Sequence, residues 1–193
     1  MRKLRSVVLV ALALLIFVPA SSYAIVDFGV YGGYSFTGKI QADTVDKSTK
    51  GWEYGFLGHL NGSVIPMVLS VGIGGFYQKA PLKYSVSGTD FDLTKTAYGL
   101  DGIVMLELPI IIHPYVRGGI AINEKAKIEV SGPAAYSTSK SKKFNSYYVG
   151  LGAAFTIFPM IQLFGEYMYN TSKQEDNVDL TSNSIHVGAR LSI

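Results

Sequence analysis

The chain has 193 residues and no cysteine, and 48% of its residues are hydrophobic while only 16% are charged. This length suits one domain, and the lack of cysteine argues against a disulfide scaffold or a thiolate zinc site. No apolar run after the first twenty residues could form a membrane-spanning helix, whereas 21 Gly, 13 Tyr and 10 Phe point to strands and turns.

The first 24 residues have the three regions of a secretory signal peptide. Basic residues open the chain, residues 6–18 are apolar, and Ser22 and Ala24 are small residues that suit cleavage before Ile25. A membrane anchor is the alternative, but the apolar run is short against the ~20 residues that a spanning helix needs. We therefore expect cleavage between Ala24 and Ile25.

Removal of this segment changes the charge balance. Of the 17 Lys and Arg residues, 3 lie in the signal peptide, so 17 − 3 leaves 14 against 14 Asp and Glu. A neutral mature chain has no electrostatic reason to bind nucleic acid. We predict no nucleic-acid partner.

From residue 26 onward, two unlike sets of residues alternate with a period of two. In the first stretch Val26 and Phe28 alternate with Asp27 and Gly29, which predicts a strand with two different faces. The pattern recurs and predicts eight strands, at 26–36, 52–60, 69–77, 98–106, 115–122, 146–157, 161–170 and 184–193. Most of them approach the ~9–11 residues that cross a bilayer at a tilt.

Short and long connections alternate between these predicted strands. Short connections that contain proline lie around Pro66, at 109–114 and at 158–160. Long polar segments lie at 37–50, 79–95, 123–143 and 171–182, and they hold all 12 lysines of the mature chain. Short periplasmic turns opposite long external loops are typical of a transmembrane barrel. We find no linker, so residues 25–193 are predicted to form one domain.

The charges are confined to one of the two faces, which decides the fold class. The polar set of the strands carries Asp27, His59 and both arginines of the mature chain, whereas the opposite set carries no charge. A secreted soluble lipocalin-like carrier, the alternative, would place its apolar set inside. With the apolar set towards lipid, a closed barrel pairs every backbone group. We predict an all-β, eight-stranded, antiparallel, up-and-down transmembrane β-barrel with four long external loops and three short periplasmic turns.

Aromatic residues of the apolar set gather at the strand ends that adjoin the long segments. Amphipathic rings collect where lipid headgroups begin, so this pattern predicts an aromatic girdle at the outer interface. Its members are Tyr34, Phe36, Trp52, Tyr54, Tyr77, Tyr98, Tyr147, Tyr167 and Tyr169.

The strand sequences at 28–34, 164–169 and 186–193 resemble those of OmpA/OmpX-like eight-stranded outer-membrane proteins. The resemblance extends over the whole mature chain and implies residence in the outer membrane of a diderm bacterium. It also implies as partners outer-membrane lipid, lipopolysaccharide and the outer-membrane assembly machinery, and we expect a monomer. In this family the machinery reads the last strand, at the places matched here by His186, Gly188, Leu191 and Ile193. The family usually ends in Phe or Trp, where this chain has Ile193.

Charged residues of the polar set are predicted to form a network in the lumen, made of Glu53, Asp101, Arg117, Glu166 and Arg190. An eight-stranded barrel has interior space only for side chains or one small ligand, and buried charges persist only when they are paired. We therefore interpret the network as a structural plug. The alternative is a gated proton or ion path.

No catalytic, metal or cofactor site is predicted. Three scattered histidines without cysteine have no metal-ligand spacing. The enzyme alternative is a barrel that modifies lipid A, for which Ser184, His186 and Glu166 form a conceivable inward-facing group. Interior polar filling is the simpler interpretation.

The external segments therefore carry the functional prediction, which is a structural or surface-interaction role without an open pore. The third segment contains a basic patch of Lys125, Lys127, Lys140, Lys142 and Lys143. These lysines either balance lipopolysaccharide phosphates or bind host or matrix polyanions in an adhesion-like role.

Overall fold

A computed structural model describes residues 25–42, 45–66, 68–86, 89–107, 110–131, 142–158, 160–173 and 179–193. The predicted signal peptide, including Ala24, lies outside the described residues. Within the described ranges, no helix is long and apolar enough to cross a membrane.

The described chain forms eight strands that close into one barrel. They are β1 (Ile25–Ala42), β2 (Val45–Ile65), β3 (Leu69–Val86), β4 (Thr89–Leu106), β5 (Ile112–Ser131), β6 (Lys142–Phe158), β7 (Ile161–Lys173) and β8 (Asp179–Ser192). Each strand pairs antiparallel with the next one in sequence, and β8 pairs with β1. The predicted all-β, eight-stranded, up-and-down barrel is confirmed.

The strands are longer than the sequence predicts. Pairing between β3 and β4 continues to Val86 and Thr89, and pairing between β1 and β2 continues to Ala42 and Val45, so most of the segments predicted as long loops are paired strand. The physical reason is that alternation does not stop at the aromatic girdle, since the inner face of β3 continues with buried Ala80 and Leu82. The described parts of the four segments are extensions of the barrel walls.

The outward face is apolar and the inward face carries the buried charges. Val30, Leu151 and Val187 are about half exposed or more, whereas Arg117 and Arg190 are each 1% exposed. This arrangement is the inverse of a soluble carrier barrel and matches a barrel that faces lipid.

The narrow interior accommodates large side chains because they lie opposite glycine in the ladder. Arg117 is opposite Gly150, and Arg190 is opposite Gly29. His186 is likewise opposite Gly33. The side chain from one strand therefore occupies the space that its neighbour leaves empty, as small barrels require.

Substitutions at Gly33 and at its neighbour Gly32 test this packing. A Cβ atom at Gly33 would overlap the His186 ring and lie 2.5 Å from the Ile185 carbonyl oxygen, whereas one at Gly32 would lie 4.0 Å from the nearest backbone oxygen. We expect Gly33→Ala to destabilise the barrel by about 1–3 kcal/mol, which is typical of overpacking. Denaturant unfolding in detergent, followed by the heat-modifiability of the folded band, measures the change. Gly32→Ala is the control, and equal stability of the two variants would contradict the packing account.

Candidate functional site

Arg117 of β5 lies at the centre of a buried charge network in the lumen. Its Nη1 donates to Asp101 Oδ2 at 3.2 Å, and its Nε donates to Glu166 Oε2 at 3.2 Å. Its Nη2 also donates to Glu166 Oε1. One guanidinium thus joins β4, β5 and β7 through hydrogen bonds to two carboxylates that are themselves buried.

His186 of β8 extends the network to β2. Its Nε2 lies 2.7 Å from Glu53 Oε2, and its Nδ1 lies 3.2 Å from Glu166 Oε1. Gln78 of β3 donates from Nε2 to Glu53 at 2.9 Å. The predicted lumenal residues Glu53, Asp101 and Glu166 therefore come together around Arg117 and His186.

Two tyrosines that the sequence does not single out complete the network. Tyr115 donates to Glu166 at 3.1 Å, and Tyr148 donates to Asp101 at 2.6 Å. His59 Nε2 also lies 3.1 Å from Asp101 Oδ1. The strand alternation places both tyrosines on the inward face, which is the signal that could have included them.

Arg190 lies apart from this central network, although the sequence grouped them together. Its Nη1 is 3.7 Å from Asp27 Oδ2, and its guanidinium lies over the rings of Tyr115 and Phe164, 5.5 and 5.4 Å from their centroids. Asn61 donates from Nδ2 to Asp27. The lumen therefore holds a second, smaller polar group at the end where β1 begins and β8 ends.

Two apolar layers lie on either side of the central network. One lies towards Arg190 and comprises Tyr31, Leu57, Ile103, Met105, Tyr115, Ala154 and Phe164. The other lies towards the long hairpin ends and comprises Phe76, Ala97, Tyr148 and Met168. Side chains thus fill the lumen on both sides of the buried charges.

A third polar group lies nearer the external end, where the sequence predicted only loops. Lys95 Nζ is 3.2 Å from Glu124 Oε2 and donates to Ser172 Oγ at 2.9 Å. Ser146 donates to Glu124. The polar composition of these segments predicts loops, whereas β4 and β5 continue their alternation and turn Lys95 and Glu124 inwards.

The Ser184, His186 and Glu166 group does not have the arrangement of a catalytic triad. Both ring nitrogens of His186 face carboxylates, and no partner for Ser184 Oγ is present among the described atoms. A triad needs one histidine nitrogen within hydrogen-bond reach of the nucleophile. Ser184 and His186 are fully buried.

All nine residues of the predicted aromatic girdle lie on the outward face, with exposed fractions between 37% and 68%. Tyr34 and Trp52 pack edge to face with centroids 5.3 Å apart. Tyr167 donates to Asn183 Oδ1 at 2.7 Å. All nine rings therefore lie on the outer surface, as the predicted girdle requires.

Members of the predicted basic patch lie on the barrel wall. Lys125 and Lys127 of β5 are exposed, and the register places Lys143 opposite Lys125 and Lys142 opposite Ala126. Lys140 lies outside the described residues.

The four residues of the predicted assembly signal lie on two faces of β8. Leu191 and Ile193 are 40% and 62% exposed on the outward face. His186 is buried in the charge network, and Gly188 is opposite Phe164 in the β7–β8 ladder. His186 and Gly188 therefore also serve the packing of the lumen.

A family model described as outer membrane protein beta-barrel domain matches residues 8–191. Among solved structures, Neisserial surface protein A is 19% identical, with a TM-score of 0.60 over 85% of this chain and 96% of that one. OprG from Pseudomonas aeruginosa is 8% identical, with a TM-score of 0.51 over 89% and 97% of the two chains. Ail from Yersinia pestis is 17% identical, with a TM-score of 0.49 over 86% and 99%. A search of curated protein sequences finds no match.

Removal of Arg117 tests the role of the network in stability. Arg117→Ala leaves Asp101 and Glu166 buried without their guanidinium partner, and breaking a buried pair in this way costs about 3–5 kcal/mol. The exposed pair of Lys173 and Asp179, 3.9 Å apart, provides the control. Lys173→Ala should cost no more than about 1 kcal/mol.

Reversible urea unfolding in lipid vesicles measures both variants. An Arg117→Ala barrel as stable as Lys173→Ala would contradict the structural role of the network.

Proposed function

The chain belongs to the outer membrane protein β-barrel domain family, and we propose that it is a sealed barrel that binds polyanions through its external basic face. Family membership confirms the resemblance to OmpA/OmpX-like proteins and places the protein in the outer membrane of a diderm bacterium. The secreted-carrier alternative is therefore wrong. The proposal concerns what this outer-membrane barrel does at the cell surface.

The filled lumen supports a role that does not involve transport. Arg117, its carboxylate partners and His186 occupy the central section, and apolar layers adjoin them on both sides. An ion would have to displace paired charges and cross both layers. We propose that the network is a plug.

The observation that carries the polyanion proposal is the exposure of two lysines on one face of β5. Lys125 and Lys143 are directly opposite in the β5–β6 ladder, and Lys127 follows Lys125 on the same exposed face. A bound polyanion would balance the positive charge that Lys125 and Lys127 place on this exposed face. Sulfated or phosphorylated polymers have the matching charge.

We also propose partners that the position in the membrane suggests. The outward Leu191 and Ile193 would be read by the assembly machinery, and the girdle would contact lipid and lipopolysaccharide. A monomer suffices, because closure of the barrel leaves no unpaired sheet edge. No catalytic step is proposed, because His186 has both ring nitrogens against carboxylates.

Binding to immobilised heparin by protein in phosphatidylcholine nanodiscs tests the polyanion proposal. We expect wild-type binding that weakens as salt rises, and a loss of about threefold or more in Lys125→Gln/Lys127→Gln, since each exposed charge contributes a few tenths of a kcal/mol or more.

The control, Lys39→Gln/Lys173→Gln, removes the same charge from exposed positions on β1 and β7. Equal affinity of Lys125→Gln/Lys127→Gln and wild type, or absence of wild-type binding at low salt, would overturn the proposal.

A further inference from the structure

A second group of lysines lies on the outward face of β2 and β3, next to the aromatic girdle. On β2, Lys50 is exposed, Thr49 is buried and Trp52 is exposed, so Lys50 lies on the same face as Trp52. Lys50 and Trp52 are two positions apart on the strand, which is about 7 Å along the chain. Lys50 is therefore at the level just outside the ring of Trp52.

Two lysines of β3 adjoin Lys50. Lys83 is directly opposite Lys50 in the β2–β3 ladder, and Lys79 is directly opposite Tyr54, a member of the girdle. Because paired residues share a face, Lys50, Lys79 and Lys83 lie together on the lipid-facing side of the barrel. We call them the β2–β3 lysine cluster.

The three lysines of this cluster form no ion pair with any carboxylate whose side chain the structure describes. The carboxylate that register brings nearest is Asp92 of β4, opposite Lys83, so the three lysines and Asp92 together carry +2. The opposition of Lys50 to Lys83 adds a like-charge repulsion that an anion between them would remove.

We propose that the β2–β3 lysine cluster binds the phosphate group of an anionic lipid in the outer leaflet. The girdle places Lys79 at the level of the headgroups, and a lysine there can keep its hydrocarbon stem on apolar surface while its ammonium group meets phosphate. This inference rests on the proposed lipid partner and names the site and the chemical group. The ligand is a lipid headgroup, because the cluster faces the bilayer rather than the lumen.

Trp52 provides a reporter at the site. It is the single tryptophan of the chain, it is 68% exposed, and it lies on the same face as Lys50. Brominated lipids quench tryptophan fluorescence only at close range, so quenching of Trp52 measures which lipid lies beside the cluster. No label has to be introduced.

The experiment compares brominated phosphatidic acid with brominated phosphatidylcholine in vesicles of phosphatidylcholine that hold the refolded barrel. We expect phosphatidic acid to be enriched at Trp52 by about threefold, since lysines near an anionic surface contribute up to about 1 kcal/mol each. In the Lys50→Gln/Lys79→Gln/Lys83→Gln variant the ratio of quenching by the two lipids should fall close to one. The variant with arginine at all three positions should keep the preference for phosphatidic acid. The Lys125→Gln/Lys127→Gln barrel should also keep it.

Equal quenching by the two lipids in the wild type, or a preference unchanged by the triple glutamine variant, would overturn the inference. Inorganic phosphate should weaken the preference more than sodium chloride of equal ionic strength does, because both salts screen charge equally while only phosphate competes for the lysines, and equal effects of the two salts would contradict recognition of the phosphate group. Heat-modifiability gels check that each variant is folded. Failure of heparin binding would leave this result intact, because that assay depends on Lys125 and Lys127.

Discussion

The contact between Arg117 and Glu166 is the interaction on which the rest of the interior depends. A guanidinium that is 1% exposed persists only because it donates hydrogen bonds to Asp101 of the adjacent strand β4 and to Glu166 of β7 across the lumen. Glu166 in turn contacts His186, and His186 contacts Glu53. The network thus connects residues of β2, β4, β5, β7 and β8 across the lumen. These contacts form only if the barrel is closed in this register.

The closed barrel follows from the requirement that backbone groups pair within a bilayer, and eight strands leave little interior space. Glycine residues such as Gly33 and Gly150 make that space available, because they lie opposite His186 and Arg117. The outward face is then free to be apolar, and the described lysines of the outer wall lie at the girdle, as Lys79 does, or beyond it, as Lys50 and Lys125 do. A filled lumen and a charged outer rim leave the cell-surface end as the part of the molecule that can meet partners.

The barrel and the inward face of each strand could be predicted from the sequence, because side chains alternate between the two faces of a strand. Alternation along the strands predicts that Asp101, Arg117 and Glu166 face inwards, and the structure places them together. Which residue pairs with which could not be predicted, because the partners depend on the stagger between strands. Arg190 was grouped with Arg117 for that reason, and the structure separates it and pairs it with Asp27. Lys95 and Glu124 were assigned to loops because polar composition hid the continued alternation, yet they form an inward ion pair.

A double-mutant cycle on Arg117 and Glu166 tests the central claim most directly. Arg117→Met, Glu166→Gln and the double variant are compared with wild type by reversible urea unfolding in lipid vesicles. The account predicts strong coupling, with the double variant more stable than the sum of the single changes implies by about 1.5 kcal/mol or more, since each single change leaves a buried group without its partner. Additive effects within about 0.5 kcal/mol would contradict it, because the two side chains would then contribute independently and the lumenal network would not hold the barrel together.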